Sequence, residues 1–151
     1  MKHRIAAGVL VEQGGKLLLV RHRKPGTYDF WVAPGGGAEG IEDLRATARR
    51  EVLEECGLHV EPGPIAYIEE FSNPEVRECK VWFVGQLLGG TLSTSATEAI
   101  REHIVEAAFL SPSEFQGKVV FPHMLHREYW EDKAAGFVSP RYVGLREMEF
   151  Y

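Results

Sequence analysis

The sequence predicts one α/β domain, and three observations carry that expectation. Strand-like apolar runs open the chain around a glycine-marked turn, a stretch with apolar residues every four positions comes next, and further strand-like runs come after it. Strands and helices therefore interleave, with no internal repeat and no low-complexity tract. The length of 151 residues, 44% of them hydrophobic and 26% charged, suits a single domain over 1–151 with a core that needs no disulfide or zinc staple.

In the first strand Ile5, Ala7, Val9 and Val11 alternate with Ala6, Gly8 and Leu10, so both faces are apolar and both are expected to be covered. Gln13-Gly14-Gly15 turns the chain into a return strand, Lys16–Arg23, which ends in the basic run Arg21-His22-Arg23-Lys24. Pro25-Gly26-Thr27 breaks that strand into a loop carrying Tyr28, Phe30 and Trp31, and Pro34-Gly35-Gly36-Gly37 comes after it. Leu44, Ala48, Val52 and Cys56 then define the buried stripe of a helix from about Glu42 to Cys56, stopped by Gly57. Strands are expected at Ile65–Phe71, Cys79–Leu88 and Ala107–Leu110, with a polar stretch from Gly89 to about His103. Ser111-Pro112-Ser113-Glu114 reads as the start of a helical turn, Pro122–Ala135 as a helix with Met124, Leu125, Tyr129 and Trp130 inward, and Arg141–Tyr151 as a last extended segment.

The formal net charge of −5 argues against a general binder of nucleic acid or anionic membrane, though phosphate substrates stay open if a cation is recruited. Cys56 and Cys79 match no metal-ligand spacing and read as structural thiols of a reducing compartment. The apolar runs are far shorter than the roughly 20 residues of a membrane helix. The start lacks the form of a signal peptide, so a cytoplasmic location is expected.

Two motifs carry chemistry. Gly35-x-Gly37-x-x-Gly40 matches the spacing of a dinucleotide loop, but strands rather than parallel βαβ units dominate the rest of the chain, and three glutamates would face the phosphates. Those glutamates, Glu51, Glu54 and Glu55, fall at i, i+3 and i+4 on one exposed helical face, away from the apolar stripe. Carboxylates so placed repel one another unless a cation sits among them, and Mg²⁺ suits hard oxygen ligands together with phosphates. A solvated acidic face is the plain alternative.

From Gly36 to Leu58 the run GGAEGIEDLRATARREVLEECGL resembles the Nudix box. Five residues separate Gly36 from Glu42, seven separate Glu42 from Arg50, and Glu51, Val52, Glu54, Glu55, Gly57 and Leu58 take the remaining fixed places. Eight or nine constrained positions over 23 residues make a specific signal. Gly40-Ile41 departs from the family's usual Pro-Gly. The resemblance implies a Nudix fold, a mixed sheet sandwiched between helices, and hydrolysis of a nucleoside diphosphate linked to another moiety by attack of water on phosphorus. It implies Mg²⁺, with Mn²⁺ as the alternative, held by Glu51, Glu54 and Glu55 and helped by the backbone carbonyl of Gly36 or Gly37. Catalytic roles would fall to Glu54, Glu51 and Arg50, with Arg50 orienting Glu54 from i+4 reach and Glu42 bracing the loop.

Outside the box, the family's further glutamate between late strands would come from Glu98, Glu102 or Glu106, with Glu102 and His103 as the candidates for base. His123 and His126 lack further nearby ligands and read as surface residues. For the substrate, Arg21 and Arg23 share one strand face and could clamp phosphates. Tyr28 and Phe30 could stack on a base, whereas Trp31 reads as core. Pro74 lies near where ADP-ribose-cleaving members show a proline, which tilts the expectation toward ADP-ribose-like substrates beside nucleotide sugars and nucleoside triphosphates. The expected partner is a small nucleotide, with no nucleic acid and no membrane, and a homodimer is left open. The rival reading is a non-catalytic module that senses nucleotides or binds a protein, against which stands the presence of every glutamate and the arginine of the box.

Overall fold

The apolar double face of the opening segment calls for cover on both sides of its sheet, and its lateral pairing puts it in the sheet's interior. In the computed structural model, which describes residues 1–148, β1 (Lys2–Gln13) holds that central place. It is succeeded by β2 (Lys16–Lys24), β3 (Tyr28–Val32), β4 (Gly35–Gly37) and α1 (Leu44–Cys56). Then come the long pair β5 (Leu58–Ser72) and β6 (Val76–Gly90), α2 (Thr97–Arg101), β7 (Ile104–Leu110), β8 (Val120–Phe121), α3 (Glu128–Ala134) and β9 (Arg141–Glu147). The sheet runs β8-β3-β2-β1-β6-β5-β9, with β4 paired to β1 and β7 to β2. It is mixed: β1 runs parallel to β6, and β5 parallel to β9, while β5 and β6 pair antiparallel.

Two apolar clusters cover the two sides. One packs Ala48, Val52 and Cys56 of α1 on Ala7, Val9, Val11, Val81 and Phe83. The other joins Leu10, Leu17, Leu19, Trp31, Tyr67 and Trp82 to Leu125 and Tyr129. Helices thus lie on both sides of a mixed sheet, as the resemblance implied. On the second side Tyr67 donates its hydroxyl to Asp132 at 2.6 Å, and Arg141 donates to the other oxygen of that carboxylate at 2.5 Å, so α3, β5 and β9 are tied together. No helix among the described residues is long and apolar enough to cross a membrane.

Several expected boundaries shift. Both long strands extend well past Ile65–Phe71 and Cys79–Leu88, because each pairs the other through a hairpin whose register is broken by irregularities near His59, Pro62 and Ile65. The polar stretch contains α2, and β7 begins at Ile104. The Pro122–Ala135 helix is instead a 3₁₀ turn, His123–His126, and α3, separated by Arg127 at φ −149°. The last segment is β9 only to Glu147, and residues 149–151 of the expected Arg141–Tyr151 strand lie outside the described residues. Pro74 sits in the turn between β5 and β6, where Asn73 Oδ1 accepts from the backbone N–H of Glu75 at 2.8 Å and of Val76 at 2.7 Å. Turn chemistry therefore accounts for this proline.

Candidate active site

Helix α1 is fixed at both ends. Asp43 accepts from the Ala46 N–H at 2.8 Å as N-cap, and Gly57 closes the C-terminus in the left-handed region at φ 77°. Between these caps the stripe that faces the sheet buries Ala48, Val52 and Cys56. Burial drives the Cys56 thiol up to about 12, in keeping with an inert structural role.

The carboxylates of α1 were expected on an exposed face, and here the structure differs. Glu51 and Glu55 are only 6% and 2% exposed. The physical reason is the glycine ribbon of β4, which lies on β1 with no side chains to keep the helix away. A Cβ on Gly36 would come within 2.5–2.6 Å of the Glu51 carboxylate, so this glycine makes the space that carboxylate fills. Glu55 Oε1 accepts from the Gly35 N–H at 3.1 Å, while its Oε2 is buried without any hydrogen-bond partner.

Arg50 organises the surroundings. Its Nη1 donates to Glu51 at 2.9 Å and to Glu54 Oε2 at 3.1 Å, and its Nη2 donates to Glu42 at 2.6 Å and to the Gly37 carbonyl at 2.9 Å. Glu42 also accepts from the Glu39 N–H and the Thr47 hydroxyl, so it ties the loop to the helix. The Arg50 guanidinium, with these further donors, holds the Glu42 carboxyl down at about 2. Around Glu55 the balance is opposite. Burial first, then the charges of Glu51 and Glu102, push its carboxyl well above the ordinary range. Burial likewise raises Glu54 and Glu102, with Glu51 adding to both.

Oxygens of Glu51, Glu55 and Glu102 lie within 4.8 Å of one another, a set that could hold a metal ion. Glu102 reaches α1 from the end of α2, so the third carboxylate of this set comes from outside the box. Glu54 instead stands beside it, bonded to Arg50. The Gly37 carbonyl is already engaged by Arg50. His103 is exposed, takes φ 59°, and offers its backbone carbonyl to the Arg23 N–H at 2.9 Å. The neighbouring Glu102, not His103, therefore enters the cluster.

A cavity of about 350 Å³ opens beside these carboxylates and is lined by Gly35, Gly36 and Glu102 on that side. Strand alternation decides what else reaches it. On β2 His22 lines the cavity and Arg21 and Arg23 do not. Arg21 instead donates to both oxygens of Asp29, at 2.8 and 2.7 Å, and lies 5.9 Å from the Trp31 ring centroid. Arg23 approaches Asp29 at 3.8 Å. Phe30 lines the cavity and stacks on His22 with centroids 5.0 Å apart. Tyr28 packs against Phe30 at 5.5 Å without lining it, and Trp31 is core. Burial lowers His22 to about 4, and its Nδ1 lies 3.1 Å from the Glu102 carbonyl. Sequence reasoning did not find Arg4, Glu69, Glu78, Lys80 or Arg146, all of which line the cavity. Glu78 pairs with Arg4 at 2.9 Å.

A family model described as NUDIX domain matches residues 1–132. The chain is 49% identical over 57 residues to nucleoside diphosphate-linked moiety X motif 6 of Xenopus laevis, covering 38% of this chain and 26% of that protein. It is 32% identical over 91 residues to 8-oxo-dGDP phosphatase NUDT18 of Homo sapiens, covering 60% and 27%. The matches thus span about a quarter of the length of these curated relatives. Among solved structures, a NUDIX hydrolase from Nitrosomonas europaea superposes with a TM-score of 0.71 at 26% identity, covering 92% of this chain and 93% of that one.

Proposed function

The chain belongs to the Nudix family, and from that premise we propose that it is a divalent-metal-dependent hydrolase of the pyrophosphate bond in a nucleoside diphosphate linked to another moiety. The observation that carries this reading is the carboxylate set of buried Glu51 and Glu55 with exposed Glu102, in which Glu55 Oε2 lacks any protein donor. Buried carboxylates left unpaired are costly, and hard oxygen donors suit Mg²⁺ or Mn²⁺, so the residues fit the group the family implies. When bound, such an ion would neutralise phosphate oxygens and lower the pKa of an attacking water.

This chain's own residues divide the remaining work. Glu51 and Glu55 would hold the ion from α1 and Glu102 from the C-cap of α2, with Glu54 contributing from the rim. Arg50 fixes Glu51 and Glu54 in place with one nitrogen while tying the loop to the helix with another. Its bond to Glu54 Oε2 leaves Oε1 of that carboxylate as the atom that takes the proton of the attacking water. The lined cavity receives the nucleotide, with ADP-ribose, nucleotide sugars, nucleoside triphosphates and, after the human relative's name, 8-oxo-dGDP as the compounds to try.

Glu54→Gln and Glu55→Gln keep shape while removing one negative charge. Either is expected to lower kcat by about 10²–10⁴, the equivalent of roughly 3–5 kcal/mol of transition-state stabilisation, in a Mg²⁺ titration with product analysis. p-Nitrophenyl phosphate should be left alone. Near-wild-type turnover in both variants at limiting Mg²⁺ would overturn the reading, and binding of nucleotides without turnover by the wild type would favour a sensing module.

A further inference from the structure

The cavity is further lined by Phe30, Phe71, Trp82 and Phe121, and the Lys80 charge on its wall also acts on Glu55 and Glu102 of the carboxylate cluster. On the same sheet surface Glu69 of β5 stands directly opposite Lys80 of β6. Both line the cavity, and both are deeply buried, 1% and 9% exposed. Opposite charges facing each other across an antiparallel pair attract and would ordinarily close. This pair stays open. Glu69 accepts from Trp82 Nε1 at 2.8 Å and from Arg146 Nη2 at 3.3 Å. The Lys80 ammonium rests 4.3 Å from the Trp82 ring centroid and has no hydrogen bond or ion pair among the described residues.

An ammonium only donates, and a carboxylate only accepts, with lone pairs to spare on Glu69 beyond its two donors. A ligand that completes both must carry an acceptor and donors side by side, and a lining of aromatic rings, with Arg146 5.2 Å from the Phe71 centroid and 5.9 Å from that of Phe121, suits a flat ring better than a sugar. We propose that Glu69 and Lys80 read the edge of the substrate's base, and that the base they fit is a 6-oxopurine. Guanine places its carbonyl O6 toward Lys80 and its N1–H and N2–H toward Glu69, three charge-assisted bonds. Adenine offers one amino group beside a bare ring nitrogen, one bond fewer. Buried polar groups left unmade penalise the wrong base, which is how such a pair discriminates. The inference rests on the reading of the adjoining carboxylates as the place where the nucleotide's phosphates are held.

The test separates base reading from phosphate binding and from turnover. Calorimetric titration in saturating Mg²⁺ is run on the wild type, Lys80→Met, Lys80→Arg and Glu69→Gln with the cleavage-resistant α,β-methylene analogues of GDP, ADP and UDP and with methylenediphosphonate in place of pyrophosphate, each called hereafter by its parent compound. The wild type is expected to bind GDP at least about tenfold more tightly than ADP or UDP. Lys80→Met and Glu69→Gln should bring GDP and ADP within about threefold, Lys80→Arg should keep the preference, and pyrophosphate affinity should change less than twofold. Should Glu69→Gln fail to fold, the two Lys80 variants decide the matter. Equal affinity for GDP and ADP in the wild type overturns the proposal, UDP binding as tight as GDP overturns its purine part, and a parallel loss of GDP and pyrophosphate in Lys80→Met makes Lys80 a phosphate contact instead. Base preference without Mg²⁺-dependent turnover would break the functional reading and leave this one standing.

Discussion

A single missing Cβ decides how deep the carboxylates of α1 can sit. Gly36 is the clearest case, since an added methyl would land within 2.5–2.6 Å of the Glu51 carboxylate while the β4–β1 pairing keeps the backbone from retreating. Gly36→Ala should therefore push Glu51 away from Glu55 and Glu102 and leave the core clusters intact. Misplacing a reacting constellation by an ångström can cost about 10²-fold in rate. The expected outcome is a fall in kcat of that order together with a higher Mg²⁺ requirement, read by steady-state kinetics across a Mg²⁺ titration beside a circular-dichroism spectrum like that of the wild type. Unchanged kinetics would mean that Glu51 does not need its present position.

At the scale of the element, α1 supplies Glu51, Glu54 and Glu55, and its caps set their height over β4. Removing the N-cap by Asp43→Ala should cost about 1 kcal/mol, a fall in Tm of about 2–4 °C for a chain of this size, with kcat/KM little changed because Arg50 and Glu42 still tie the loop to the helix. Thermal melts and kinetics on the same preparation check both halves. This helix was legible in the sequence because its apolar stripe, its glutamates and its terminal glycine all obey one local period. The cavity was not legible, because its residues meet only through strand register. Period two shows that Arg21 and Arg23 share a face, yet it cannot show that His22 takes the inner one, and the pairing of β2 with β7 shifts between Arg21 and His22. Glu69 and Lys80 are neighbours only because β5 and β6 pair in the register they do. In the sequence His103 lies nearest the place before a strand where the family's glutamate would fall, with Glu98, Glu102 and Glu106 around it, and the cluster takes Glu102 because α2 ends on it.

For the whole molecule, the acidic cavity makes stability depend on protons and on metal in linked ways. Glu55, Glu54, Glu102 and Glu69 are all raised by burial, so the folded state holds protons that the unfolded chain releases at ordinary carboxylate pKa values. The stability of the metal-free protein must then fall as pH rises from about 4.5 through the raised values, by up to about 1.4 kcal/mol per pH unit for each proton difference. Two groups act the other way. Glu42, held at about 2, contributes stability that is lost as pH drops from its ordinary value of 4.5 toward 2. His22, lowered from 6.5 to about 4, favours folding more as pH climbs through that interval. Above pH 6.5, and up to pH 8, the His22 contribution levels off and Glu42 is silent, so the slope that remains carries the falling sign set by Glu55, the carboxyl raised furthest. Melting curves in EDTA over that window are expected to shift to lower temperature with rising pH, and Glu55→Gln should flatten the trend because its amide cannot ionise. Saturating Mg²⁺ should flatten it in the wild type as well, since a bound cation keeps the carboxylates ionised in the folded state, and should raise Tm most at the alkaline end. A metal-free Tm that follows pH identically in the wild type and Glu55→Gln would show that Glu55 carries no excess proton, and the case for a cation among these carboxylates would lose its electrostatic basis.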